Sequence, residues 1–225
     1  MNILKSIFKW LGLIIMALLI AAIVQVPSVY DTPTFQYVSK AQFNAATKQV
    51  NLFHNIFMIV VFSILAFVME WYLCKWVGNK LDFTKPLDWK SILLAVIAGV
   101  LSFVIGWIIP DGSSSGPGIF SETLHTKLAI PMVLVLVVIG PTLEECLFRG
   151  GFQKGFFGRL NPWIAIILAS ILFAFFHNIT VNLYFLSNFI SGVLFGYVYQ
   201  KTDDMKMNIL AHGVNNLIAV VMMMF

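Results

Sequence analysis

Seven apolar runs, most of them close to the length needed to cross a bilayer, leave this chain few folds to choose from. They occupy residues 10–26, 52–73, 92–109, 128–147, 163–176, 181–199 and 207–225. A helix rising 1.5 Å per residue needs about 20 apolar residues to cross a hydrocarbon core ~30 Å thick. In lipid each backbone N–H and C=O must be satisfied inside its own segment, so such runs read as helices rather than open strands. The expected fold class is therefore all-α: a polytopic transmembrane helical bundle of about seven spans. Residues 1–225 read as a single integral membrane domain, with a less informative half over 1–110 and a motif-bearing half over 128–225.

Composition supports this, with 60% hydrophobic and 11% charged residues against roughly a quarter charged in soluble domains. The net charge of +4 comes without any basic run or aromatic-interleaved basic patch, so nucleic acid is not an expected partner. The lipid bilayer is. Cys74 and Cys146 have no metal-cage or disulfide spacing. Cys146 as a nucleophile is disfavoured, because a thiol needs an activating environment and buried cysteine often serves as a small apolar residue.

The first run follows Lys5 and Lys9 as a signal peptide would, but its length and the lack of a small-residue cleavage site favour a retained helix. Residues 27–50 turn polar and read as an external loop with room for a short surface helix. Residues 111–118, rich in Gly and Ser with Pro117, read as a flexible connector. If the N-terminus is cytoplasmic, 11 of the 14 basic residues fall in cytoplasmic segments and only Lys40, Lys48 and Lys127 fall outside. The positive-inside bias thus predicts a cytoplasmic N-terminus and an external C-terminus.

Charges inside such runs need a reason, since an ionisable side chain at the centre of a membrane helix costs ~2.5–3.5 kcal/mol on insertion scales. Glu144, Glu145 and Arg149 end the run 128–147. Residues four apart share a helix face, so Glu145 pairs with Arg149, while Glu144 is rotated about 100° away and stays available. Pro141 lacks an amide hydrogen and disturbs the helix just before them, freeing a carbonyl. Phe173 and His177 lie one turn apart in the next run, and His212 and Asn216 one turn apart in the last. Alone, the first pair reads rather as a core or interfacial histidine, and the second equally well as polar contact between helices. Together, a carboxylate, two imidazoles and an amide supply a base, a water holder and hydrogen-bond donors.

In E-E-x-x-x-R (Glu144, Glu145, Arg149), F-x-x-x-H (Phe173, His177) and H-x-x-x-N (His212, Asn216) the sequence resembles the CPBP or Abi family, which includes type II CAAX prenyl proteases and proteins linked to bacteriocin immunity. The resemblance covers roughly residues 128–225. It implies a cavity among the last four helices of a protein in the bacterial plasma membrane, and an intramembrane endopeptidase acting on a membrane-associated or membrane-proximal peptide or protein. In this implied mechanism Glu144, helped by His177, activates water, and His212 and Asn216 stabilise the oxyanion. Glu145, Arg149 and Phe173 give structural support. No cofactor is required by that scheme. A divalent metal such as zinc is the alternative, held by Glu144, His177 and His212 as three protein ligands with an open position. A non-enzymatic scaffold or immunity protein of the same family is the rival function; a small proton-coupled transporter is less favoured, because no internal repeat appears.

One expectation conflicts with the site. With these spans His212 lies ~8 Å, and His177 ~21 Å, from the starts of their helices. They meet only if the helix bearing His177 stops at a turn through residues 178–180, or if the last helix begins near Asp203. Asn178-Ile179-Thr180 also matches a glycosylation acceptor, which beside a buried histidine reads as chance.

Overall fold

The computed structural model describes residues 15, 16, 19, 20, 23, 40–109 and 119–224. Among the described residues it contains eight helices and no strand. We number them α1 (Lys40–Gln49), α2 (Leu52–Val77), α3 (Trp89–Ile108), α4 (Ile119–Leu124), α5 (Ala129–Phe156), α6 (Pro162–His177), α7 (Leu183–Thr202) and α8 (Met205–Met224).

Local chemistry sets most of the helix boundaries. The Asn51 side chain accepts the His54 amide at 3.1 Å to begin α2, and Asp88 accepts the Ser91 amide at 3.0 Å to begin α3. Asn161 and Asn182 do the same for α6 and α7. Such caps satisfy amides that have no partner within the helix. Gly78, at φ 88°, ends α2 in the left-handed conformation that glycine adopts without steric cost.

Among the described residues four helices, α2, α3, α5 and α8, are long and apolar enough to cross a membrane. The seven expected spans are thus not all recovered. Pro162–His177 is a shorter apolar helix of 16 residues, ~24 Å at 1.5 Å per residue and less than a full hydrocarbon core. α7, from the run 181–199, also falls outside the four. The run 10–26 lies largely outside the described residues; within it Ile20 is fully buried and joins the central core. The connector 111–118 lies outside them entirely.

α6 and α7 form an antiparallel pair, with Trp163 stacked on Tyr197 at 5.8 Å. α3 packs against α7 and α8, α2 against the C-terminal half of α5, and α8 against the middle of α5. The α3–α8 approach depends on Gly99, where a Cβ would lie 2.8 Å from Val214 Cβ and closer still to the Ala211 carbonyl oxygen. The shared core includes Ala95, Leu143, Leu147, Phe148, Phe173 and Phe195.

Two segments of α5, Val135–Ile139 and Cys146–Phe156, take the wider π turn. Such turns often accompany functional sites, and these two flank the α-helical stretch Gly140–Glu145 that carries both glutamates.

The basic segments assigned to one side of the membrane gather at one end of the bundle. Lys85 and Lys154 both pair with Asp203, and Lys206 binds the carbonyls of Phe83 and Lys85 at 2.9 and 3.0 Å. At the opposite end of α5, Lys127 reaches the Lys48 carbonyl at 2.8 Å and ties α1 to the turn preceding α5.

Candidate active site

The adjacent glutamates part company as helix geometry requires. Glu145 is fully buried and accepts three hydrogen bonds: from Arg149 Nε at 2.9 Å, from Asn208 Nδ2, and from His212 Nδ1 at 2.8 Å. The pairing with Arg149 is the i,i+4 contact the spacing predicts. The other two bonds reach across to α8, so Glu145 orients an imidazole as well as bracing its own helix.

Glu144 faces a different set. Its Oε2 lies 3.4 Å from His177 Nε2 and 4.0 Å from His212 Nε2, and has no hydrogen-bond partner. His212 therefore stands between neighbouring carboxylates, with Nδ1 on Glu145 and Nε2 toward Glu144. A carboxylate only accepts, so His212 Nδ1 donates.

His177 is the last residue of α6, and Asn178 beyond it is extended. Its Nδ1 lies 2.9 Å from the Phe173 carbonyl oxygen, which also only accepts, so Nδ1 carries a proton and Nε2 turns toward Glu144. The depth conflict is removed at both ends. α6 stops at His177, α8 begins at Met205, and side chains lean toward the N-terminus of their own helix, which carries the His177 ring back toward Phe173.

Phe173 organises the aromatic wall. Its ring lies 4.4 Å from the His177 ring and 5.8 Å, edge to face, from His212, with the Arg149 guanidinium 5.4 Å from its centroid. Phe195 stacks on the other side of His212 at 4.8 Å. The side chains of Glu144 and His177 retain 15% and 22% exposure, whereas His212 keeps 5% and Glu145 and Arg149 none. The accessible edge is thus the Glu144–His177 side.

Asn216 sits one turn beyond His212 and donates Nδ2 to the Leu136 carbonyl of α5 at 2.8 Å. It is fastened beside the Pro141 break, with no direct bond to Glu144 or either histidine. Cys146 is fully buried, its carbonyl 3.7 Å from Cys74 Sγ. The Asn178 side chain is engaged in the turn itself, bonding Asn182 and the Thr180 amide.

Asn208 and Glu70 are among the buried polar residues that escaped the sequence reading. Asn208 is one turn before His212, so the face reads N-x-x-x-H-x-x-x-N, and that extension of the motif was the available signal. Glu70, fully buried with no hydrogen bond to either carboxyl oxygen, is the only acidic residue in α2; an acid in so apolar a run was reason to examine it.

The donor set of two imidazoles and a carboxylate suits zinc. Ligand atoms ~2.0–2.2 Å from one tetrahedral ion lie about 3.3–3.6 Å apart. The His177 separation meets this and the His212 separation exceeds it. No group of three His, Cys, Asp or Glu positioned to hold a metal occurs among the described residues.

Fold and site together define an integral membrane protein with a glutamate and two histidines converging among its helices. Residues 126–218 match the family model described as "Type II CAAX prenyl endopeptidase Rce1-like". Over 143 residues the chain is 28% identical to the Bacillus subtilis (strain 168) protein named "Putative membrane peptidase YdiL", covering 59% of this chain and 58% of that protein. The chain thus spans less than two thirds of that relative's length. No solved structure matches it significantly. Over its motif-bearing part the chain is thus similar to the CPBP family, and both likenesses support that resemblance.

Proposed function

We propose that this protein is an intramembrane endopeptidase that hydrolyses a peptide bond in a membrane-associated or membrane-proximal segment. The observation carrying the proposal is the approach of Glu144 Oε2 to the Nε2 atoms of both histidines, at 3.4 and 4.0 Å, with each ring anchored through Nδ1. A carboxylate oxygen and an imidazole lone pair at that spacing are two acceptors. A water molecule beside them donates one hydrogen to each and presents its own lone pair to a carbonyl carbon.

In the reaction Glu144 takes the water proton as the O–C bond forms, and returns it to the leaving amine as the C–N bond breaks. His212 keeps its Nδ1–H on Glu145 and turns Nε2 toward the oxyanion as a donor. Asn216 offers the amide hydrogen that is not committed to Leu136. No step is routed through a metal ion. The family description and the relative's name support a membrane peptidase, and a peptide processed near its membrane anchor is the substrate class we assign.

The test uses protein in proteoliposomes and two internally quenched peptides, one with a farnesylated cysteine three residues from its C-terminus and one without the lipid. Wild type is expected to cleave at least one. Glu144→Ala at normal membrane levels should lose that activity; cleavage at the wild-type rate would sink the proposal. The rival, a non-enzymatic scaffold, draws on the Asn216–Leu136 bond, which joins α8 to α5 whether or not catalysis occurs.

A further inference from the structure

Pro141 begins a chain of hydrogen bonds that passes outside the segment matched by the family model, through Ser102. In the π turn before it, the Gly140 N–H reaches back five residues to the Val135 carbonyl. The same pattern continued by one residue would pair Pro141 with Leu136, but proline has no N–H to give. The vacated Leu136 carbonyl takes Asn216 Nδ2 instead, at 2.8 Å.

That contact decides which way the Asn216 amide faces. A carbonyl accepts only, so the NH₂ lies on Leu136 and Oδ1 on the opposite side, where Asn215 Nδ2 donates at 2.7 Å. With its own NH₂ so used, Asn215 presents Oδ1 to Ser102 Oγ of α3 at 2.9 Å. Ser102 is 1% exposed, and its Oγ lies 2.8 Å from Ser191 Oγ of α7. Each hydroxyl has a single proton. With the Ser191 proton turned to Ser102 from the Ser187 carbonyl, 3.0 Å away, the bonds run in one direction, from Ser191 to Ser102, Asn215, Asn216 and Leu136, across α7, α3, α8 and α5.

We propose that Ser102 and Asn215 are positioning residues for Asn216: through this chain they fix the rotation of its amide, so that the second N–H, rather than Oδ1, is presented to the reacting carbonyl oxygen. A flipped Asn216 would set its oxygen against Leu136 and aim no donor at the oxyanion. The inference rests on the role given to Asn216 above. It goes further in making the site depend on α3, which lies outside residues 126–218.

The experiment compares Ser102→Ala, Asn215→Asp, Asn216→Ala and the double variant Ser102→Ala/Asn216→Ala in proteoliposomes with the cleaved peptide. Asn215→Asp keeps size and the acceptor for Ser102 but has no N–H for Asn216, and it decides the matter if Ser102→Ala does not fold. Losing an oxyanion donor costs ~10²–10³ in kcat and misdirecting one costs less, so each positioning variant should lose about tenfold in kcat with KM within about twofold. Ser102→Ala should cost nothing further once Asn216 is alanine. Wild-type kcat in both positioning variants, with Asn216→Ala impaired, would overturn this inference alone. A further loss in the double variant would also overturn it, marking Ser102 as packing. Full activity in Asn216→Ala would instead refute the oxyanion role on which it rests.

Discussion

Glu145→Gln, set beside Glu144→Gln, tests the division between a structural glutamate and the proposed base. The wild-type carboxylate sits fully buried against Arg149, also fully buried, and takes donors from Arg149, Asn208 and His212. Glutamine keeps one acceptor oxygen and replaces the other with a donor. Its better orientation leaves oxygen on Arg149 and Asn208, and turns NH₂ toward His212 Nδ1, which must then give up its proton to accept. Arg149 loses its counter-charge either way. Removing one partner of a buried ion pair costs ~3–5 kcal/mol, a large part of a total stability of roughly 5–15 kcal/mol. Glu144→Gln alters a carboxylate whose Oε2 has no hydrogen bond, so it should cost under about 1 kcal/mol. Both variants should be unfolded by denaturant titration in detergent micelles, with membrane levels measured in parallel. If Glu145→Gln were as stable as wild type, or Glu144→Gln the less stable of the two, the assigned division of roles would fail.

Gly99→Ala should cost about 1–3 kcal/mol by overpacking, because the added methyl meets Val214 and the Ala211 carbonyl on the helix that carries His212; a lowered thermal midpoint, with reduced cleavage, checks this. At the start of α3, the Ser91 amide foremost, then its hydroxyl, holds the exposed Asp88 carboxyl below its usual range. A depressed folded value means that the cap's stabilisation is present above the ordinary carboxylate range and lost as pH falls through the depressed value. Asp88→Asn should therefore flatten the acid side of the thermal midpoint measured against pH.

The readable parts of the site were those whose constraint is local. The i,i+4 spacing of Glu145 and Arg149, the hundred-degree offset of Glu144, and the one-turn spacing of Phe173 and His177 are properties of a single helix. Asn208 was missed because its partner, Glu145, is 63 residues away. The same applies to Ser102, whose bond to Asn215 spans 113 residues. Hydropathy found the apolar runs but not their depth, since it does not register that α6 stops at His177 or that α5 widens into π turns on either side of the glutamates.

The central claim is that Glu144 and His177 act as one unit on water, and rates of single and double variants test it most directly. Glu144→Gln and His177→Ala should each lower kcat by ~10²–10⁴, the typical contribution of a general base. Groups acting as a unit are strongly non-additive. The double variant, measured in the same proteoliposomes, is therefore expected to cleave at the rate of the slower single variant. Losses that multiply would show two independent contributions and contradict the account.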